Sequence, residues 1–174
     1  MLGYLPFKIR KMLGDLHTMT KYLIPVFLLF LCFIMPVQIY VIGDGYGIGI
    51  QGAFYRYQVS SYGSSFIPVN QDANYVISGT YGGKTALSVF IWIIADVLLV
   101  FATILALIKV QYLEERMFKT ICLFMMVSGV LFFISVMLQY GFFLHGAAGI
   151  SIPFGVPLII ISGWFFYRAR SALC

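Results

Sequence analysis

An all-α transmembrane four-helix bundle, with a small β-rich extracytoplasmic loop between helices 1 and 2, is the fold this sequence predicts. Three observations predict it. Of the 174 residues, 61% are hydrophobic and 10% charged, with a mean hydropathy of +0.97, far outside the range of soluble domains. Four apolar runs each approach the roughly 20 residues needed to cross a bilayer core. Finally, nine of the eleven Lys and Arg residues sit in alternate connections: Lys8, Arg10, Lys11 and Lys21 before the first run, Lys109, Arg116 and Lys119 in the middle, Arg168 and Arg170 after the last. That pattern is the positive-inside signal, which assigns both termini and the central loop to the cytoplasm of a multi-pass plasma-membrane protein. The net charge of +5 therefore encodes orientation, and no nucleic-acid partner is expected.

Residues 1–21 come first. Leu2, Leu5, Ile9, Met12, Leu13, Leu16 and Met19 fall in one arc of a helical wheel, opposite Lys8, Arg10, Lys11 and Asp15. Pro6 suits a helix start, so about residues 5–19 read as an amphipathic helix lying on the cytoplasmic membrane surface. The first span is 22–42, with Pro25 and Pro36 as kink sites. The second is 85–108, the third 120–144 and the fourth 150–167. Short connections at 109–119 and 145–149 make consecutive spans antiparallel neighbours, and 168–174 is a cytoplasmic tail.

Between the first two spans, residues 43–84 are neither apolar enough to cross a membrane nor polar enough to be disordered. The stretch AFYRYQVS alternates, with Tyr55, Tyr57 and Val59 on one face and Phe54, Arg56 and Gln58 on the other. SFIPV and NYVISGTY continue as strands, separated by the turn clusters SSYGSS and NQDAN. A small antiparallel sheet of three or four strands over the outer helix ends is the expectation. Its tyrosines, Tyr55, Tyr57, Tyr62, Tyr75 and Tyr81, give large contact area at low rotamer cost and form a candidate outer interaction surface. Alternatively they form the loop's own small core.

This layout resembles the claudin and peripheral-myelin-protein type of four-helix membrane protein, as topology along the whole chain. That family's mark is a tryptophan followed by two cysteines in the first outer loop. GYGIGIQGAFYRYQVSSYG has neither, so the resemblance implies adhesive, pore-lining or auxiliary-subunit roles without assigning a functional residue.

Chemistry that needs dedicated residues finds little here. His17 and His145 both lie outside the spans, which argues against a bis-histidine haem. No His, Cys, Asp or Glu set shows metal-ligand spacing. Cys32, Cys122 and Cys174 form no C-x-x-C pair, against a thiol oxidase. The run GDGYGIG spells like a phosphate loop but opens no helix and reads as a turn. Glu114, Glu115 and Arg116 read as a solvated cluster. No cofactor is expected, and no enzyme activity.

Asp96 remains, in the apolar stretch FIWIIADVLLVF. Ser88, Trp92, Asp96, Leu99 and Thr103 share one face of the second span, while Ile91, Ile94, Leu98, Phe101 and Leu105 share the other. At 1.5 Å per residue, Asp96 lies about 17 Å from Thr85, near the bilayer midplane. An aspartate there costs about 2.5 to 3.5 kcal/mol and should face protein. Ser128, Ser135 and Gln139 on the third span and Ser162 on the fourth, with close approach at Gly155 and Gly163, are the expected neutral partners. An unpaired carboxyl at this depth is expected to hold its proton and donate a hydrogen bond. Three roles stand open: a helix-packing hydrogen bond, a pairing with another subunit, and a proton or cation path. The sequence thus leads to a non-catalytic structural, assembly or auxiliary subunit whose partners are the lipid bilayer and other membrane subunits or further copies of itself. The alternative is a small transporter or channel subunit that binds a proton or cation at Asp96.

Overall fold

A computed structural model describes residues 27–43, 45–109 and 115–171. In chain order the elements are helix α1 (residues 27–34), strands β1 (Gln38–Ile42), β2 (Gly47–Gln51), β3 (Tyr55–Ser60) and β4 (Gly63–Pro68), helices α2 (Val69–Ile77), α3 (Gly83–Lys109) and α4 (Glu115–Tyr140), strands β5 (His145–Gly146) and β6 (Gly149–Ile152), and helix α5 (Gly155–Ser171). The amphipathic helix expected near the N-terminus, Pro25 and the Glu114 end of the inner loop lie outside the described residues.

The expected all-α four-helix bundle is overturned. Among the described residues, five helices accompany a six-stranded, wholly antiparallel sheet of order β4-β3-β2-β1-β6-β5. Among the described residues two helices are long and apolar enough to cross a membrane, Gly83–Ile108 and Arg116–Tyr140, while the apolar part of α5, Gly155–Arg168, is shorter.

Three local causes account for the difference. Helix α1 stops at residue 34 because Pro36 has no N–H to donate and pushes Met35 away from helical geometry. Beyond it, QIYVI switches to a period of two: Gln38 and Tyr40 are buried while Ile39, Val41 and Ile42 are partly exposed, so residues expected inside the first span form β1. The same happens after the second connection. GISI, expected to begin the last span, is β6 and pairs with β1 (Ile39 with Ile152, Val41 with Ile150). Only after Pro153 does α5 begin, where the Gly155 N–H donates to the Val37 carbonyl at 2.9 Å. Pro157 in its first turn removes a donor that has no intrahelical partner anyway. Finally, VNQDANYVI, expected as a turn and a strand, is α2. It follows the extended Pro68 and carries Asp72 in its first turn, where a carboxylate complements the helix dipole.

The core lies between α3 and α4. Ala95, Leu99, Ala102 and Ala106 recur at steps of four, three and four and are wholly buried, a stripe narrow enough to bring the helix axes close. Phe132, Val136, Met125 and Ile121 of α4 belong to the same buried cluster. Helix α4 packs α5 on its other side, with Gly163 against Met125. The sheet caps one end of these helices: the Trp92 indole N–H donates to the Ala53 carbonyl at 3.0 Å, and the Tyr40 and Tyr140 rings meet at 6.1 Å.

Candidate functional site

The α3 seam is closed mainly by serines. Ser88 and Ser135 lie 2.9 Å apart, oxygen to oxygen, and each reaches the other's backbone carbonyl. Ser128 donates to the Ala95 carbonyl at 2.9 Å. These short side chains reach across because the alanine stripe leaves so little space. Trp92 stacks edge-on against Phe132 at 4.7 Å. Thr103 donates within its own helix to Leu99 at 2.8 Å, and Ser162 does the same to Leu158 at 2.7 Å. Gln139 is half-buried.

None of the expected partners reaches Asp96. It is 4% exposed, and both carboxyl oxygens are buried without a hydrogen-bond partner. The serines expected to satisfy it instead bond backbone carbonyls, the nearest acceptors at a tight helix contact.

The sheet has two faces of opposite character, and the polar one is turned inward. Gln38, wholly buried, donates from Nε2 to Gln51 Oε1 at 2.6 Å and accepts from the Ser151 hydroxyl at 2.6 Å. Tyr40 reaches across Gly49, its partner on β2, to donate to Gln58 on β3 at 3.2 Å. A methyl group at position 49 would run into the Tyr40 ring, so glycine is what allows this crossing. Burial pushes the Tyr40 hydroxyl up to about 12, against the opposing pull of Arg56. On β3, beside the edge strand β4, Arg56 forms an ion pair with Asp72 of α2, shielded from solvent: its side chain is 11% exposed and that of Asp72 is 7%. The same guanidinium donates to Tyr81 Oη at 2.8 Å. Burial alone would lower the Arg56 pKa, but the charge of Asp72, with Tyr81 and Tyr40, holds it above the ordinary value.

The outward face is apolar. Ile152, Ile39, Ile50, Tyr57 and Phe66 stand in register across five strands, and Ile150, Val41, Ile48 and Val59 form a second row beside them. Ile48, Tyr57, Val59, Phe66, Ile150 and Ile152 are all exposed. At about 4.8 Å between strands the first row runs about 19 Å and the second about 14 Å. No charged side chain interrupts them.

The five candidate tyrosines divide between the two settings. Tyr57 stands in the outward row and Tyr62, in the β3–β4 turn, is 96% exposed. Tyr55 stacks on Phe66 at 5.9 Å. Tyr75 and Tyr81, both half-buried, pack against each other at 5.2 Å, and Tyr81 also meets Arg56. Sequence reasoning missed the isoleucines and valines of β1, β2 and β6. Their alternation in QIYVI, GIGIQ and GISI was the available signal. Among the described residues no group of three or more His, Cys, Asp or Glu side chains is placed to hold a metal ion.

No protein-family model matches the chain, and a search of curated proteins gives no match.

Proposed function

We propose that this chain is a non-catalytic integral membrane protein, an assembly or auxiliary subunit that docks to other polypeptides through the outward apolar face of its sheet. One observation carries the reading: the sheet turns polar side chains such as Gln38, Gln51 and Ser151 inward, hydrogen-bonded to one another, and exposes Ile, Val, Tyr and Phe side chains on its outward face. A sheet that merely capped the helix ends would do the reverse, because an exposed apolar patch of this extent costs solubility and typically marks a contact surface. The absence of charge on the rows favours an equally uncharged partner surface, whether a further copy of this chain or another subunit, since no desolvated ion is stranded on contact.

The membrane setting is supported by α3 and α4, each long and apolar enough to span, and by the alternate placement of Lys and Arg. We take the termini and the 109–119 connection as cytoplasmic and the sheet as extracytoplasmic, in a multi-pass plasma-membrane protein. A kinship with the claudin and peripheral-myelin-protein type fits this arrangement, since strands from both outer connections join one sheet.

The test is purification in mild detergent of the wild type and of a Tyr57→Ser, Phe66→Ser, Ile48→Ser variant, followed by mass measurement of what co-elutes. The substitutions touch only outward positions, so folding should survive. Loss of the co-eluting polypeptides or of the homo-oligomer is the expected result. An identical assembly in both preparations would sink the reading.

A further inference from the structure

Asp96 is 4% exposed, midway along a helix with the length and hydropathy of a membrane span, and its two carboxyl oxygens have no hydrogen-bond partner. An orphaned acid at such a depth is costly, and the polar side chains of the seam that would offset it bond elsewhere. Beside it lies a cavity of about 240 Å³, walled by Phe54, Ile93, Val97, Val100, Phe101 and Ile104. Ile93, Val97, Val100 and Ile104 recur at steps of four, three and four, the spacing at which one helix receives the side chains of another. Val97, Phe101 and Ile104 are about half exposed, so the cavity opens on the outer flank of α3, away from the buried alanine stripe facing α4.

We infer that this flank is the seat of a membrane-spanning helix from a different polypeptide, one that carries a lysine or arginine at mid-depth whose cation meets the Asp96 carboxylate. Charge complementarity selects the partner. The basic residues of α3, α4 and α5, namely Lys84, Lys109, Arg116, Lys119, Arg168 and Arg170, fall near helix ends, so among the described residues these helices of a second copy offer no cation at the depth of Asp96. The apolar stripe from Ile93 to Ile104, about 17 Å long at 1.5 Å per residue, suits a helix rather than a small amine. The cavity holds one long side chain, while the partner's backbone lies over the stripe.

The inference rests on the membrane-embedded reading above but not on the sheet contact. It is tested with the full chain in fluid phosphatidylcholine vesicles, by energy transfer to fluorescent leucine-rich transmembrane peptides with either a central lysine, a central leucine, or a lysine displaced seven residues toward one end. The central-lysine peptide should associate at least about tenfold more tightly than the other two. Asp96→Asn, checked for unchanged helix content, should abolish that preference, and Asp96→Glu should retain much of it. Equal association of the lysine and leucine peptides, or a preference that survives Asp96→Asn, overturns the inference alone. Release of the wild-type chain from vesicles by alkaline carbonate would overturn the membrane reading and the inference with it.

Discussion

Ser88 on α3 and Ser135 on α4 hold each other across the helix interface, each hydroxyl within 3.0 Å of the other's backbone carbonyl. The pair is wholly internal, at 2% and 1% exposure, and needs nothing from outside the chain. Hydrogen bonds between membrane helices contribute about 0.6 kcal/mol on average and up to about 1.7. Because the two bonds are reciprocal, Ser88→Ala and Ser135→Ala should each destabilise by about 1 kcal/mol, and the double variant by little more than either. A double-mutant cycle in detergent unfolding measures this. Simple additivity would show that the two hydroxyls act independently.

Gly49 supports the Tyr40 ring, and a side chain there collides with it. Gly49→Ala is expected to cost about 1 to 3 kcal/mol, the usual range for overpacking. Adding Tyr40→Ala should return part of that loss by removing the obstructed ring. Thermal melting of the three variants decides; a Gly49→Ala protein as stable as the wild type refutes the contact.

Breaking the Arg56 and Asp72 pair from one side leaves a charge stranded among side chains about nine-tenths buried. Arg56→Ala or Asp72→Ala alone should therefore cost about 3 to 5 kcal/mol, whereas Arg56→Met with Asp72→Leu should be milder than either. Limited proteolysis between residues 50 and 80 reports the effect. Faster cleavage of the double variant than of both single ones would contradict it.

Alkaline titration probes Tyr40. Its folded value, near 12 through burial, lies above the ordinary tyrosine value of about 10. Between those limits the unfolded chain has released the proton and the folded chain still holds it. The stability contribution is thus complete below about pH 10 and is lost as pH rises through 12. The tyrosinate absorbance step that disappears in Tyr40→Phe should sit close to pH 12. A step near pH 10 would place the Tyr40 hydroxyl in contact with water.

Much of the outer segment was legible in the sequence wherever alternation was interrupted by polar residues. Tyr55 to Ser60 reads as a strand because Arg56 and Gln58 break an aromatic run. The direction in which it faces was not legible. Arg56 and Gln58 turn inward only because Asp72 and Tyr40 meet them there, and those partners are supplied by other elements. β1 and β6 were concealed for a different reason. Strands whose outward face is isoleucine and valine, placed beside helices of the same composition, merge with them in any hydropathy window. Pro36 and Pro153 were the visible boundaries. Asp96 stood out at once, but its neighbours did not. Ser128 and Ser135 share a helix stripe with the right depth, yet the alanines of α3 bring them near backbone carbonyls rather than near the carboxyl.

The bond from the Ser151 hydroxyl to Gln38 joins residues 113 apart, and β6 is the neighbour that completes β1 on the side opposite β2. At roughly 5 to 20 residues per second of synthesis, β1 waits on the order of 6 to 20 seconds before β6 exists. During that interval one β1 edge remains unpaired, and an unpaired edge invites incorrect strand partners. β6 adds the terminal residue of each outward row, Ile152 and Ile150, so the rows reach their full width only once β6 has docked on β1. The width of the apolar face is therefore set late in synthesis, by a strand that follows both of the long apolar helices in the chain.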